Sequence, residues 1–126
     1  MFRACQVLSN NLITFTDKNN RKCNWIIPST RIYKGGVWNW DSGFHAMTVA
    51  RWDKALTWEQ CKIFLDQQDE KGMFSDAFLL DETNYDTISK PPVLPWVLEH
   101  LCKEDLDIDK RFVYERLKRN ECFWRE

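Results

Sequence analysis

The stretch of this chain best suited to chemistry is Trp38-Asn39-Trp40-Asp41-Ser42. It sets a carboxyl group beside two indoles at the expected mouth of a helix. Burial against aromatic rings disfavours a charged carboxylate. A carboxylic acid kept protonated near neutrality serves as a general acid. Aromatic faces also suit sugars, whose apolar C–H faces stack on rings while their hydroxyls bond polar neighbours. The same residues have a plainer reading, in which Asp41 or Ser42 merely caps a helix and both Trp belong to the core. His45, one turn on from Asp41, is placed to bond a sugar hydroxyl or Asp41 itself, or to be a satisfied structural histidine.

The elements that would position these groups are helical hairpins joined by loops, with one short β excursion. Residues 2–12 carry Cys5, Leu8 and Leu12 at helical spacing. Two apolar runs, 12–15 and 23–27, flank the polar cluster Asp17-Lys18-Asn19-Asn20-Arg21-Lys22, a pattern for a β-hairpin or an irregular loop. Gly35-Gly36 breaks regular structure, and a helix follows over 42–50. A second helix, 54–68, places Trp58, Cys61, Phe64 and Leu65 on one stripe. The short link between these helices predicts an antiparallel pair. Residues 69–91 read as a long loop, a length often associated with function. Pro91-Pro92 opens a further helix, tolerated because the first N–H groups lack partners, with Val93, Trp96, Val97, His100 and Leu101 on its face. A last helix runs from about Asp109, aligning Val113, Leu117, Glu121 and Trp124.

Composition narrows the possible functions. The chain has 126 residues, the size of one domain or part of one. Eighteen Lys+Arg against nineteen Asp+Glu leave no basic excess for nucleic acid. No apolar run reaches the length of a membrane helix, and Asn10-Asn11 interrupts where a signal peptide would stay apolar. Cys5, Cys23, Cys61, Cys102 and Cys122 are odd in number and show no CxxC spacing, so reduced thiols in a cytoplasmic protein without a metal site are expected. No cofactor is called for. The seven Trp make aromatic surface the chain's distinctive excess. Asp76, Asp81, Glu82 and Asp86 read as solvated loop charges. Lys34, the Lys54, Glu59 and Lys62 set, and the run at 110–119 read as solvated surface. His100 reads as a dipole contact at a helix end.

Residues 33–47, YKGGVWNWDSGFHAM, then Arg51-Trp52-Asp53, QQDEKGMFSD at 67–76 and SKPPVLPW at 89–96, resemble the six-hairpin glycosidases. Within them the chain looks most like glycoside hydrolase family 63 and its mannosylglycerate-hydrolase-like bacterial members. The resemblance, taken to extend from about residue 2 to 124, implies an (α/α)6 barrel with a sugar site in a funnel. It also implies an inverting hydrolysis by one acid and one base. On this resemblance Asp41 is the general acid. Trp38, Trp40, Phe44, His45, Gln68, Gly72 and Met73 contact the sugar, the last three from a loop at the rim. The Pro pair anchors the next junction. Ser75 and Lys90 depart from the Pro and Gln common in the family, which leaves the sugar accepted open.

Twelve helices with their loops need roughly 190 residues, whereas this chain supplies about five. The expectation is therefore an all-α fold with a short β-hairpin or irregular loop, residues 1–126 forming one incomplete portion of a barrel. The general base, in the family a Glu from a late helix, is absent, so the chain alone is expected to be inactive. The aromatic helix end at Phe123-Trp124 suggests that the rest of the barrel, or a second copy, covers it. The expected substrate is a small α-glucoside or α-mannoside. The rival reading is a non-catalytic helical module that binds a glycan or protein through its aromatic face. A trehalase-like member is a third reading, since related six-hairpin enzymes share the W-D-S motif.

Overall fold

The computed structural model of the chain describes residues 2–16, 20–29, 35–79, 89–104 and 106–126. Lys34, Asp81, Glu82 and Asp86, and the turn residues Asp17, Lys18 and Asn19, lie outside the described residues. The described chain is mostly helical, with two small antiparallel strand pairs.

Helix α1 (Phe2–Asn10) stops two residues before the expected end. Leu12 instead begins strand β1 (Leu12–Thr16), which pairs antiparallel with β2 (Lys22–Ile26) in the register Leu12↔Ile26, Phe15↔Cys23. The hairpin reading is therefore correct. Alternation turns Ile13 and Phe15 inward beside Cys23 and Trp25. The Phe15 and Trp25 rings meet edge to face, with centroids 4.1 Å apart.

Helix α2 (Asn39–Val49) and helix α3 (Lys54–Asp66) pack as the expected hairpin. Asp53 caps α3, its Oδ1 accepting the Leu56 N–H at 2.8 Å. The α3 stripe buries Cys61, Phe64 and Leu65, with Trp58 partly covered. Two polar residues of α3 complete the free edge of β2. The Ile26 N–H donates to Gln60 Oε1 at 2.8 Å, and Gln60 Nε2 donates to the Asn24 carbonyl at 2.9 Å. The Asn24 N–H donates to Glu59 at 3.1 Å, so Glu59 is not the solvated face residue its helical spacing suggests.

Strand β3 (Val37–Trp38) pairs antiparallel with β4 (Ala77–Phe78), in the register Val37↔Phe78 and Trp38↔Ala77. The long loop after α3 thus contains a strand that local patterning does not signal. Helix α4 (Val93–Leu101) lies against α2 at Gly43, where a Cβ would stand 3.0 Å from Val97 Cγ2. Its buried face is Leu94, Val97, Leu98 and Leu101, while Trp96 and His100 are exposed. The expected face is therefore rotated. Helix α5 (Lys110–Arg125) starts at an Asp109 cap, whose Oδ1 accepts the Phe112 N–H at 3.0 Å. It buries Val113 and Asn120 and leaves Glu121 and Trp124 exposed, again departing from the expected line. The core joins β2, β3, α2, α3, β4 and α4 through Trp25, Val37, Ala46, Phe64, Phe78 and Leu98. Among the described residues no helix is long and apolar enough to cross a membrane.

Candidate active site

The site is built at the N-terminus of α2, and the strand pair β3–β4 sets where that helix begins. Continuing the register one step brings Asn39 opposite Asp76. The Asn39 N–H donates to the Asp76 carbonyl at 2.8 Å, and Asn39 Nδ2 donates to the Ser75 carbonyl at 3.0 Å. These bonds satisfy a helix-start N–H that has no partner within the helix. The helix therefore starts three residues earlier than its sequence suggests. Trp38 occupies the N-cap in extended conformation, without a side-chain cap. Asp41 and Ser42 are not the caps they resemble. Asp41 sits in the first turn, where a negative charge is favoured by the helix dipole, and the Ser42 hydroxyl is buried without a hydrogen-bond partner among the described residues.

Helical geometry then separates side chains that the sequence places side by side, since neighbours diverge by about 100° around the axis. Trp40 and Phe44 form one stripe, both largely exposed, and the Phe44 ring meets Trp96 of α4 edge to face at 6.5 Å. Asp41 and His45 form the next stripe, each partly buried. The indoles consequently do not sandwich Asp41: Trp38 precedes the helix and the Trp40 ring stands under Lys90, whose Nζ is 5.5 Å from the ring centroid. The Asp41 carboxylate has no hydrogen bond or ion pair among the described residues.

His45 Nδ1 lies 3.1 Å from the Ile26 carbonyl. A carbonyl only accepts, so Nδ1 carries the proton and Nε2 holds the lone pair in the neutral ring. Burial holds the His45 pKa below its ordinary value, opposed by the nearby Asp41 charge and the bond to Ile26. The histidine braces α2 against β2 and remains within electrostatic reach of Asp41.

The other sequence-derived candidates take different places. Gln68, Gly72 and Met73 are buried, and the contacts of this segment run to α5. Gln68 Nε2 donates to the carbonyls of Gly72 and Arg116, both at 2.9 Å, and Asn120 Nδ2 donates to the Gly72 carbonyl at 2.9 Å. Arg119 adds bonds to the carbonyls of Asp69 and Glu70. The segment is a latch between α3 and α5.

Asp76, expected to be a solvated loop charge, is buried. Its Oδ2 lies 3.4 Å from Lys90 Nζ, while Oδ1 is buried without a hydrogen-bond partner among the described residues. The missed signal is its setting, Met73-Phe74-Ser75-Asp76-Ala77-Phe78-Leu79, a polar pair inside an apolar run. Among the described residues no group of three His, Cys, Asp or Glu side chains is arranged to hold a metal ion. A groove of about 580 Å³, lined by Met47, Thr48, Arg51 and Trp52 with Ala4 and Cys5 of α1, lies at the opposite end of α2 from Asp41.

The chain matches the family model described as the mannosylglycerate hydrolase MGH1-like glycoside hydrolase domain over residues 34–125. No curated protein and no solved structure matches it. The matched span begins just before β3, so α1 and the β1–β2 hairpin lie outside it, and it contains Asp41, the latch and the Asp76–Lys90 pair. Because that span takes in most of the sequence, including every element of the site except the β2 carbonyl that holds His45, the chain belongs to the MGH1-like glycoside hydrolase domain family.

Proposed function

We propose that this chain is part of an (α/α)6 glycosidase domain that hydrolyses a small α-glucoside or α-mannoside with inversion, and that Asp41 is its general acid. The observation that carries the reading is a partly buried carboxylate, without an ion pair among the described residues, in the first turn of α2 and one residue after an exposed indole, inside a span that matches a glycoside hydrolase family. Protonated, Asp41 delivers its hydrogen to the departing glycosidic oxygen. A second carboxylate, roughly 6.5–9.5 Å away, activates a water on the opposite face of the sugar. That base is a Glu supplied from outside residues 1–126. Trp40 walls the sugar, and Phe44 with Trp96 extends the apolar surface. His45 contributes by fixing α2 against β2, and the segment holding Gln68, Gly72 and Met73 keeps the loop in place.

The test is Asp41→Asn in the complete enzyme. A good leaving group needs no proton, so hydrolysis of an aryl glycoside with an acidic phenol should survive. Hydrolysis of the methyl glycoside should fall by about 10²–10⁴-fold, the usual contribution of a positioned acid. Full activity of the variant on the methyl glycoside would end the assignment.

A second reading rests on exposed aromatics elsewhere: Tyr114 and Trp124 on α5 stand open to solvent. Under it the chain is a non-catalytic helical module that meets a protein partner or another copy of itself. Strong self-association without any fluorescence response to sugars would favour it.

A further inference from the structure

The β1–β2 hairpin has two edges, and the fold treats them differently. Along β2, the N–H groups of Asn24 and Ile26 donate to Glu59 and Gln60 of α3, and Gln60 returns a bond to the Asn24 carbonyl. Those groups therefore point away from β1. In an antiparallel ladder, residues opposed without mutual hydrogen bonds turn their backbone groups to opposite sides. Leu12 is opposite Ile26, Thr14 opposite Asn24 and Thr16 opposite Lys22. The backbone groups of Leu12, Thr14 and Thr16 consequently face away from β2, and they meet no partner among the described residues. The Ile27 N–H, which donates to the Asn11 carbonyl at 3.0 Å, fixes the same phase, with the alternate residues Asn11, Ile13 and Phe15 facing β2.

Soluble proteins blunt an open edge with Lys, Pro, a bulge or a covering element. Strand β1 reads Leu-Ile-Thr-Phe-Thr, with no charge and no Pro, and its register runs without a bulge. The hairpin also lies outside the span that matches the glycoside hydrolase family.

A second copy of the chain fits this edge. A two-fold axis through Thr14 sets two β1 strands antiparallel, with Thr14 opposite Thr14 of the second copy and Leu12 opposite its Thr16. Every outward-facing residue of the strand then exchanges N–H···O bonds with its opposite number. Ile13 falls opposite Phe15 of the second copy in the closer, non-bonded position, a favourable aromatic and β-branched pair. The charges agree with the symmetry, since an uncharged strand brings no like charges together across its own axis. Such self-complementarity is what an isologous two-fold contact requires. Two strands of 5 residues cover less than the roughly 1,200–2,000 Å² of a standard stable interface, so this pairing is weak and concentration-dependent.

We propose that the open edge of β1 is a self-association surface, on which a second copy adds its own β1 antiparallel about Thr14 to form a continuous sheet, β2-β1-β1-β2. The proposal is independent of the role given to Asp41.

The test is sedimentation equilibrium of the 126-residue chain from about 10 μM to 1 mM. Wild type should pass reversibly from monomer to dimer across that range. Thr14→Pro removes an N–H aimed at the second copy and leaves the bonds of Ile13 and Phe15 to β2 in place. Thr14→Lys sets two ammonium groups against each other across the axis. Each should raise the dimer Kd at least tenfold, with circular dichroism confirming the fold, and Thr14→Lys decides the matter if Thr14→Pro does not fold. Register is read by cross-linking in a Cys122→Ser background, with copper phenanthroline and dissolved oxygen as the oxidant. Thr14→Cys should form an interchain disulfide with its own copy, because opposed Cα atoms lie about 5.5 Å apart. Thr16→Cys should not, its copy being about 14 Å away along the strand. Peptide mass identifies the linked residues. A wild type that stays monomeric throughout, a dimer unaffected by both Thr14 variants, or cross-linking at 16 equal to that at 14 would overturn the proposal. So would a dimer lost in Trp124→Ser, which places the contact on α5.

Discussion

Gly72→Ala separates a structural latch from a substrate contact. Gly72 has φ +95, and a Cβ built there would stand 2.3 Å from the Arg119 carbonyl oxygen and 2.7 Å from its carbon. An L-residue in left-handed conformation costs about 1–2 kcal/mol. Both contacts are with helix backbone, which cannot swing aside like a flexible side chain, so the segment and α5 must part by close to an ångström. That movement stretches the two 2.9 Å bonds that cross to α5, from Gln68 to the Arg116 carbonyl and from Asn120 to the Gly72 carbonyl, each with a net worth of about 0.5–1.5 kcal/mol. Together these effects give a destabilisation of about 3 kcal/mol, which for a domain of this size lowers Tm by roughly 12 °C. Thermal and urea unfolding followed by far-ultraviolet circular dichroism measure it. Gly72→Asn should remain damaging, somewhat less than Gly72→Ala, since Asn tolerates positive φ but still carries a Cβ. Sugar affinity measured on the folded fraction should be unchanged. A variant within 0.5 kcal/mol of wild type, or one that is stable but no longer binds sugar, would refute the latch.

Further expectations follow from the same geometry. Because burial holds the His45 pKa below its ordinary value near 6.5, the unfolded chain binds that proton more readily than the fold does. The stability this neutral ring contributes is complete above about pH 6.5 and is lost as pH falls through the folded value. The stability difference between wild type and His45→Gln, measured by urea unfolding, should therefore shift against wild type from pH 7.5 to pH 5; a difference that stays flat or moves the other way contradicts the burial of the neutral ring. Cys61 is fully buried and its thiol is pushed up to about 12 by burial and by the neighbouring Cys102, whereas Cys122 is exposed. A thiol reagent under native conditions should label Cys122 first and leave Cys61 until the chain unfolds; early labelling of Cys61, read by peptide mass, would show that α3 opens locally.

Much of the architecture was legible because local periodicity reports burial. The run at 12–15 facing 23–27 became the β1–β2 hairpin, and Cys61, Phe64 and Leu65 share the buried face of α3. Asp109 and Pro91-Pro92 mark the starts of α5 and α4 close to where they occur. The misplaced faces of α4 and α5 have a common cause. In α4, Val97 packs against Gly43 of α2, and this docking turns Leu94 and Leu98 inward and leaves Trp96 exposed. In α5, Asn120 is buried against expectation because it bonds the Gly72 carbonyl, a partner 48 residues away.

What the sequence determined by itself is the set of helices, the two apolar runs about a polar turn at 12–27, and the presence of a carboxyl group among aromatics at 38–42. Residue type and spacing suffice for these, since they depend on neighbours within a turn or two. Only the tertiary structure decided where α2 begins, because that start depends on pairing residues 37–38 with 77–78, far outside any local window. That pairing put Asp41 inside the first turn rather than at the cap, turned the Trp40 ring toward Lys90 and enclosed Asp76. The physical reason is that a helix N-terminus needs acceptors for its first N–H groups, and here the carbonyl of Asp76 supplies one from a distant strand.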